Sequence, residues 1–445
     1  MLPEKGALYV RTSSNLKVTV ILCLLILASL PAVVTLLRAR RVDHITLFSA
    51  GYLYYWVFPV LVGHFPLASD SEIALASWLQ IFERVPRSQF GIYSVSILIY
   101  YACFRLGDAL ARRTKFRPRL VKAPALNFVP LLYAVVFVVA VGYTYQIRSA
   151  IGMNYTDLGD LFISKGTLTA ISLVLLALAL LITVGNEKRT FIATLSNRWI
   201  FGYFLIALVL LGMGERLYVM TSFLLLAGYR SVFFKKYTLT QLLAAVIGMA
   251  TLSALAGLIR LRANLDVTAL LWNLAFEPVF TAYSLVSFLG FNHIPWVAFP
   301  RFLAGDFINL VPTSLMRSKL DMLPDPTRAG FYFISPLGAL NSWVSFIINF
   351  GLIGTAFVMS FVGYFLCWLR KRATSPVVKT QYLMCSAFMV FTFFRDPFSV
   401  SLVKNILEFS LFAPLFLAFV SGLLVWSAGS TRTAVPPQIQ LNPHL

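Results

Sequence analysis

The sequence predicts an all-α fold, a polytopic transmembrane helix bundle of about 11–13 spans with a long outer-face segment of interfacial or re-entrant helices. Three observations predict it. Of 445 residues, 59% are hydrophobic and 12% charged, whereas a soluble globular domain runs at roughly 45–50% and 25%. Apolar runs of about 20 residues, the length needed to cross the hydrocarbon, recur along the chain. Aromatic residues reach 15%, with 39 Phe, 19 Tyr and 8 Trp, as expected of a chain that meets lipid and the headgroup belts. Soluble, disordered and fibrous classes are excluded, and we read 1–445 as a single integral-membrane domain.

The first run, Val18–Leu37, follows a polar lead too long for a signal peptide and lacks a small-residue cleavage pattern, so it reads as a retained helix. Ile45–Phe65 and Gln89–Leu106 come next, the latter stopping at a basic run. Asn127–Ile147, Leu168–Gly185, Trp199–Met213, Leu217–Phe234 and Leu239–Ile259 are uncharged or nearly so, as the bilayer centre demands. Ser342–Leu369, Gln381–Phe394 and Ile406–Ser427 close the set. A further stretch, Leu270–Phe291, carries Glu277-Pro278, and reads as a broken helix, a re-entrant helix or a true span.

Orientation follows from the excess of Lys and Arg in short cytoplasmic loops. Arg105, Arg112, Arg113, Lys115, Arg117, Arg119 and Lys122 crowd one loop, which is therefore cytoplasmic, and the amino terminus lies outside. Alternation from there gives the cytoplasmic side 21 basic and 3 acidic residues and the outside 16 basic and 14 acidic. In a soluble chain a net charge of +20 would suggest nucleic acid; here it is the signature of membrane orientation, and no nucleic-acid partner is expected. The longest outer segment, 260–335, is read as periplasmic. Phe280-Thr281-Ala282-Tyr283 and Phe331-Tyr332-Phe333 keep it apolar, while Pro295, Pro300, Pro312, Pro324 and Pro326 punctuate it. Helices lying in or dipping into the outer leaflet are expected there. The cysteines, Cys23, Cys103, Cys367 and Cys385, sit in apolar stretches without metal-ligand spacing, so neither disulfide nor metal nor cofactor is expected.

Ionisable residues flanked by apolar runs are costly and become the functional candidates. Gly214-Glu215-Arg216 forms a corner between two short spans at the outer face. Either its Glu and Arg pair with each other, or Arg216 is held to grip a phosphate through its planar fork. Arg260 and Arg262 stand where the eighth span ends; Arg301, Arg328 and Arg395 follow at outer positions. These arginines, with Arg216, form an outer-face basic cluster that suits the phosphate of an anionic lipid headgroup. Glu277, inside an apolar helix, is the candidate base or an ion-pair partner of Arg260 or Arg262, and Asp306 and His293 are further catalytic candidates. Asp70 and Glu72 have the spacing of an acidic pair, for which solvated loop residues are the plainer reading.

Asp306-Phe307-Ile308-Asn309-Leu310-Val311-Pro312-Thr313-Ser314-Leu315, then Gly338-Ala339-Leu340-Asn341-Ser342 and Asn349-Phe350-Gly351-Leu352-Ile353-Gly354, resemble the late outer loop and following helix of Wzy-type O-antigen polymerases. Gly214-Glu215-Arg216 looks like the Gly-x-Arg element of that family. The resemblance implies an enzyme of the bacterial inner membrane that joins undecaprenyl-diphosphate-linked oligosaccharide repeat units into a surface polysaccharide. It also implies membrane lipid and a chain-length regulator protein as candidate partners. Two other classes fit the same outer basic cluster: a lipid-linked oligosaccharide flippase or transporter, and a ligase or other lipid-sugar glycosyltransferase. A transporter should place charges near the midplane and show repeated halves; here the charges sit at outer ends and no repeat is evident.

Overall fold

The computed structural model describes residues 5–64, 81–115, 126–151, 161–185, 197–238, 240–242, 244–245, 247–248, 251, 254–255, 267–311, 315–316, 318–323, 325, 330–335 and 339–430. Every regular element among them is helical. Helix α1 (Lys5–Leu37) leads into a short reversal and then α2 (His44–Gly51). Asp43 starts α2 with a capping box: its Oδ1 accepts from the amides of Ile45 and Thr46, and Thr46 Oγ1 accepts from the Asp43 amide at 2.8 Å. The rod continues through a π-helical stretch, Tyr52–Val57, into α3 (Phe58–His64). That wide turn carries Tyr52, Tyr55 and Trp56 into the core.

The central pairing joins α4 (Arg87–Arg113) with a later helix, Ser342–Lys371, running parallel to it. Trp343 Nε1 donates to Ser96 Oγ at 3.0 Å, the Tyr100 hydroxyl to the Leu352 carbonyl at 3.1 Å, and Ser360 Oγ to the Cys103 carbonyl at 3.1 Å. Between these two come α5 (Val129–Gln146), α6 (Leu161–Gly185), α7 (Arg198–Gly212), α8 (Arg216–Phe233), α9 (Val267–Phe291) and the short α10 (Arg301–Asp306). Leu173 and Leu175–Leu181 of α6 are buried, so this apolar helix is wrapped by its neighbours. We number Ser342–Lys371 as α11; α12 (Pro376–Phe388), α13 (Thr392–Arg395), a π-helical Ser399–Phe412 and α14 (Ala413–Ser430) follow.

Gly351 splits α11, with φ 66° and ψ −174°, a conformation open essentially to glycine alone. The break frees amides that Pro295 and Trp296 use: Leu352 N donates to Pro295 O and Ile353 N to Trp296 O, both at 3.0 Å. Asn341, the N-cap of α11, accepts from the Trp343 amide. Its own amide donates to Ser284 Oγ and its side chain to the Tyr55 carbonyl. The motif segments 339–342 and 349–354 therefore build the seat of one helix.

Helix polarity defines two ends. At one, Arg370 pairs with Asp43 at 2.9 Å, Lys371 Nζ donates to the carbonyls of Ala111, Arg112 and Thr114, and the Tyr237 amide donates to Arg40 O. These are the basic segments that the charge count predicts as cytoplasmic. The opposite end holds the α7–α8 corner, the start of α11, and α13.

Seven helices among the described residues are long and apolar enough to cross a membrane, which makes the chain a multi-pass helical membrane protein. They are Thr19–Leu37, His44–Gly63, Arg87–Arg113, Val129–Gln146, Lys165–Gly185, Ser342–Lys371 and Ser399–Ser427. Seven of the eleven expected spans are therefore met among the described residues. Arg198–Gly212 and Tyr218–Phe233 are apolar but short, because the Gly-Glu-Arg corner ends both; 15 residues of helix give only about 22 Å. Gln381–Phe394 breaks after Phe388 and resumes at Thr392, and much of Leu239–Ile259 lies outside the described residues. Leu270–Phe291 is helical without a break, with Pro278 inside it.

Candidate functional site

The corner between α7 and α8 turns on Gly214, whose φ of 89° lies in the left-handed region that favours glycine. Its neighbours Glu215 and Arg216 then point into different partnerships. Glu215 pairs with Lys165 of α6 at 2.8 Å, and Arg216 Nη2 stands 3.6 Å from Glu277 Oε2 on α9. From α13, Arg395 Nε approaches the other oxygen, Glu277 Oε1, at 2.5 Å, while its Nη1 lies 3.3 Å from Asp396 Oδ1. Glu277 is thus clasped by two guanidinium groups from separate elements. Its partners are Arg216 and Arg395; Arg260 and Arg262 lie outside the described residues.

Local chemistry explains each placement. Pro278 has no amide to donate, and Thr281 Oγ1 donates at 3.0 Å to the carbonyl of Glu277 in the turn around the proline. The Leu340 amide donates to the Arg395 carbonyl, so the turn before α11 fixes α13. Asn341 holds the Tyr55 carbonyl, and Tyr54 and Tyr55 both feel the charge of Glu277. The buried Tyr55 hydroxyl makes no hydrogen bond among the described residues. The cluster is not fully enclosed: the side chains of Glu277 and Arg395 are 16% and 28% exposed, while Lys165 is 2% exposed. Burial pushes the Asp396 carboxyl up to about 6, against the pull of Arg395 and with the repulsion of Glu277 and Glu215.

The other sequence candidates separate. His293 is exposed in the loop after α9; with α9 ending at Phe291, 14 residues past Glu277, it stands on the order of 20 Å along the helix from that carboxylate. Asp306 is buried at the end of α10, and burial pushes its carboxyl up to about 7. It has no ion pair among the described residues. Arg301 is exposed and lies over the Phe302 ring, 5.8 Å from its centroid. Arg328, Asp70 and Glu72 lie outside the described residues.

Sequence reasoning missed Lys165, Tyr54 and Tyr55. A signal existed for the lysine, since Ser164-Lys165-Gly166 opens one of the most apolar helices of the chain. The tyrosines carried none, because Tyr54-Tyr55-Trp56 reads as an interfacial aromatic run until the π-helical turn is known.

Chemically, the arrangement offers fixed positive charge on either side of one carboxylate, at the end of the bundle opposite the Asp43–Arg370 pair. The chain matches no family model, no curated protein and no solved structure.

Proposed function

We propose that this protein is a polysaccharide polymerase of the bacterial inner membrane, joining undecaprenyl-diphosphate-linked oligosaccharide repeat units at the outer face. The observation that carries the reading is Glu277 held between Arg216 and Arg395, three residues brought together from α9, α8 and α13. In the reaction, the bond between the anomeric carbon of the donor chain and its diphosphate oxygen breaks, and the electron pair leaves with the diphosphate. The acceptor hydroxyl oxygen of the next lipid-linked unit forms the new glycosidic bond and gives its proton to Glu277. Arg216 and Arg395 bind the diphosphate and stabilise its departing charge. A guanidinium has five donors, so pairing with Glu277 leaves edges for phosphate, and both arginines are partly exposed. A chain-length regulator is the expected protein partner.

The test is made in the source strain lacking the chromosomal gene, complemented with variants, scoring membrane abundance, binding of lipid-linked unit and polymer together. Glu277→Gln should bind the unit yet make no polymer even when yield is normalised to the protein present in the membrane, because an amide cannot take the proton. Arg216→Lys keeps the charge and loses the bidentate fork, so polymer yield should fall at least about tenfold. Full polymerisation by the Gln variant would remove Glu277 from the reaction, and loss of abundance in step with product would make it structural.

A further inference from the structure

At the end of the bundle opposite Glu277, the reversal between α1 and α2 forms one wall of a cavity of about 540 Å³. Five cations line it: Arg38, Arg40, Arg41, Arg105 and Lys236. The one acidic lining residue, Asp43, is already committed, its Oδ2 to Arg370 at 2.9 Å and its Oδ1 to the first amides of α2. The cavity therefore keeps a large uncompensated positive charge.

Two of the cations also carry unanswered donors. Arg41 Nε and Arg105 Nε are buried and have no hydrogen-bond partner among the described residues. A buried donor without an acceptor is costly, and both side chains line the cavity, where an anion would offset their charge. Hydrogen bonds tie parts of the lining to the rest of the bundle. Arg105 Nη1 donates to Thr35 Oγ1 at 2.8 Å, the Val42 amide donates to Ser231 Oγ, and the Tyr237 amide to Arg40 O, both at 2.9 Å. Several guanidinium groups around one space suit an oxyanion that accepts from more than one of them at once, and a phosphate has more oxygens for this than a carboxylate.

An apolar track leads to the same place. Leu27, Leu30, Val34 and Leu37 follow one face of α1 at helical spacing and are 40–58% exposed, and Val34 itself lines the cavity. In a multi-pass membrane protein that strip faces hydrocarbon. We propose that this cavity binds the phosphate of an anionic phospholipid, with the acyl chains lying along the exposed face of α1. The assignment does not depend on the polymerase reading.

The experiment uses the full chain purified in neutral detergent. Thermal unfolding and native mass spectrometry are followed on addition of phosphatidylglycerol, phosphatidylcholine or inorganic phosphate. Phosphatidylglycerol should raise the melting temperature by several degrees and be retained as one tight adduct, whereas equal phosphatidylcholine should do neither. Arg41→Gln/Arg105→Gln should weaken that adduct at least tenfold, and the solvent-facing Arg38→Gln should weaken it several-fold even where the double variant fails to fold. Arg113→Gln, the same charge change on an exposed residue of that end outside the cavity lining, should leave binding unaltered. Equal retention of the two lipids, or an unaffected Arg38→Gln, overturns the proposal. Displacement of the lipid by millimolar inorganic phosphate would assign the cavity to free phosphate and overturn the lipid assignment.

Discussion

Removing the charge of Glu277 should cost more than removing either arginine that holds it. Glu277→Gln takes from Arg216 and Arg395 the carboxylate they share and leaves Arg395 only Asp396, whereas Arg216→Gln leaves the shorter pair with Arg395 intact. At the 3.6 Å separation of Arg216 and Glu277, the gross attraction is about 4–5 kcal/mol at an effective dielectric constant of about 20. Desolvation and the residual solvent contact of all three side chains offset much of it. The net belongs between the roughly 0–1 kcal/mol of a surface pair and the 3–5 kcal/mol lost on breaking a buried one. We expect a coupling of about 1–2 kcal/mol for Arg216 with Glu277 and about 2–3 kcal/mol for Arg395 with Glu277. The assay is a pair of double-mutant cycles on the detergent-purified protein, scored by thermal unfolding at neutral pH. Additivity within about 0.5 kcal/mol in both cycles would mean that the clasp does not exist in solution.

Two further outcomes follow from groups outside the clasp. Asp306, raised to about 7 by burial, binds its proton more tightly folded than unfolded, so its contribution is complete below pH 3.8 and is lost as pH rises through 7. Stability should therefore fall by roughly 1–2 kcal/mol between pH 6 and 8, and Asp306→Asn should flatten that interval while leaving the lower-pH slope from Asp396. A wild-type melting temperature unchanged between pH 6 and 8 would contradict the burial. Gly351→Ala meets both a forbidden backbone region and the Trp296 carbonyl, 2.7 Å from the added methyl carbon; it should destabilise by about 2–4 kcal/mol, and an unchanged unfolding temperature would refute the kink.

Much of the architecture was legible because hydrocarbon tolerates so few alternatives. Runs such as Leu168–Gly185 and Asn127–Ile147 announce spanning helices by length and apolarity alone, and the structure places helices there. What pattern reading lost was the ending of helices by tertiary demands. Gln381–Phe394 reads as one apolar run, yet the chain breaks it after Phe388 so that Arg395 can reach Glu277. Gly351 reads as one more residue of a long span, but its positive φ opens the amides that dock Pro295 and Trp296. Both breaks are specified by contacts to residues distant in sequence, which hydropathy does not encode.

The candidate site shows the same division. Arg216, Glu277 and Arg395 stood out singly, because each is a charge in apolar surroundings. Their union did not, since nothing in the sequence ties residues 61 and 118 positions from Glu277 to that carboxylate. The motif segments acquire a physical role once the union is seen. Leu340 and Asn341 make the bonds that hold the Arg395 backbone and the Tyr55 carbonyl, so these two residues position the clasp, whereas Arg216 of the Gly-Glu-Arg corner forms part of it. Substituting Asn341 should consequently disturb Tyr55 and Arg395 together, whereas a change at Asp306, outside this set of hydrogen bonds, should leave the Glu277 couplings as they are.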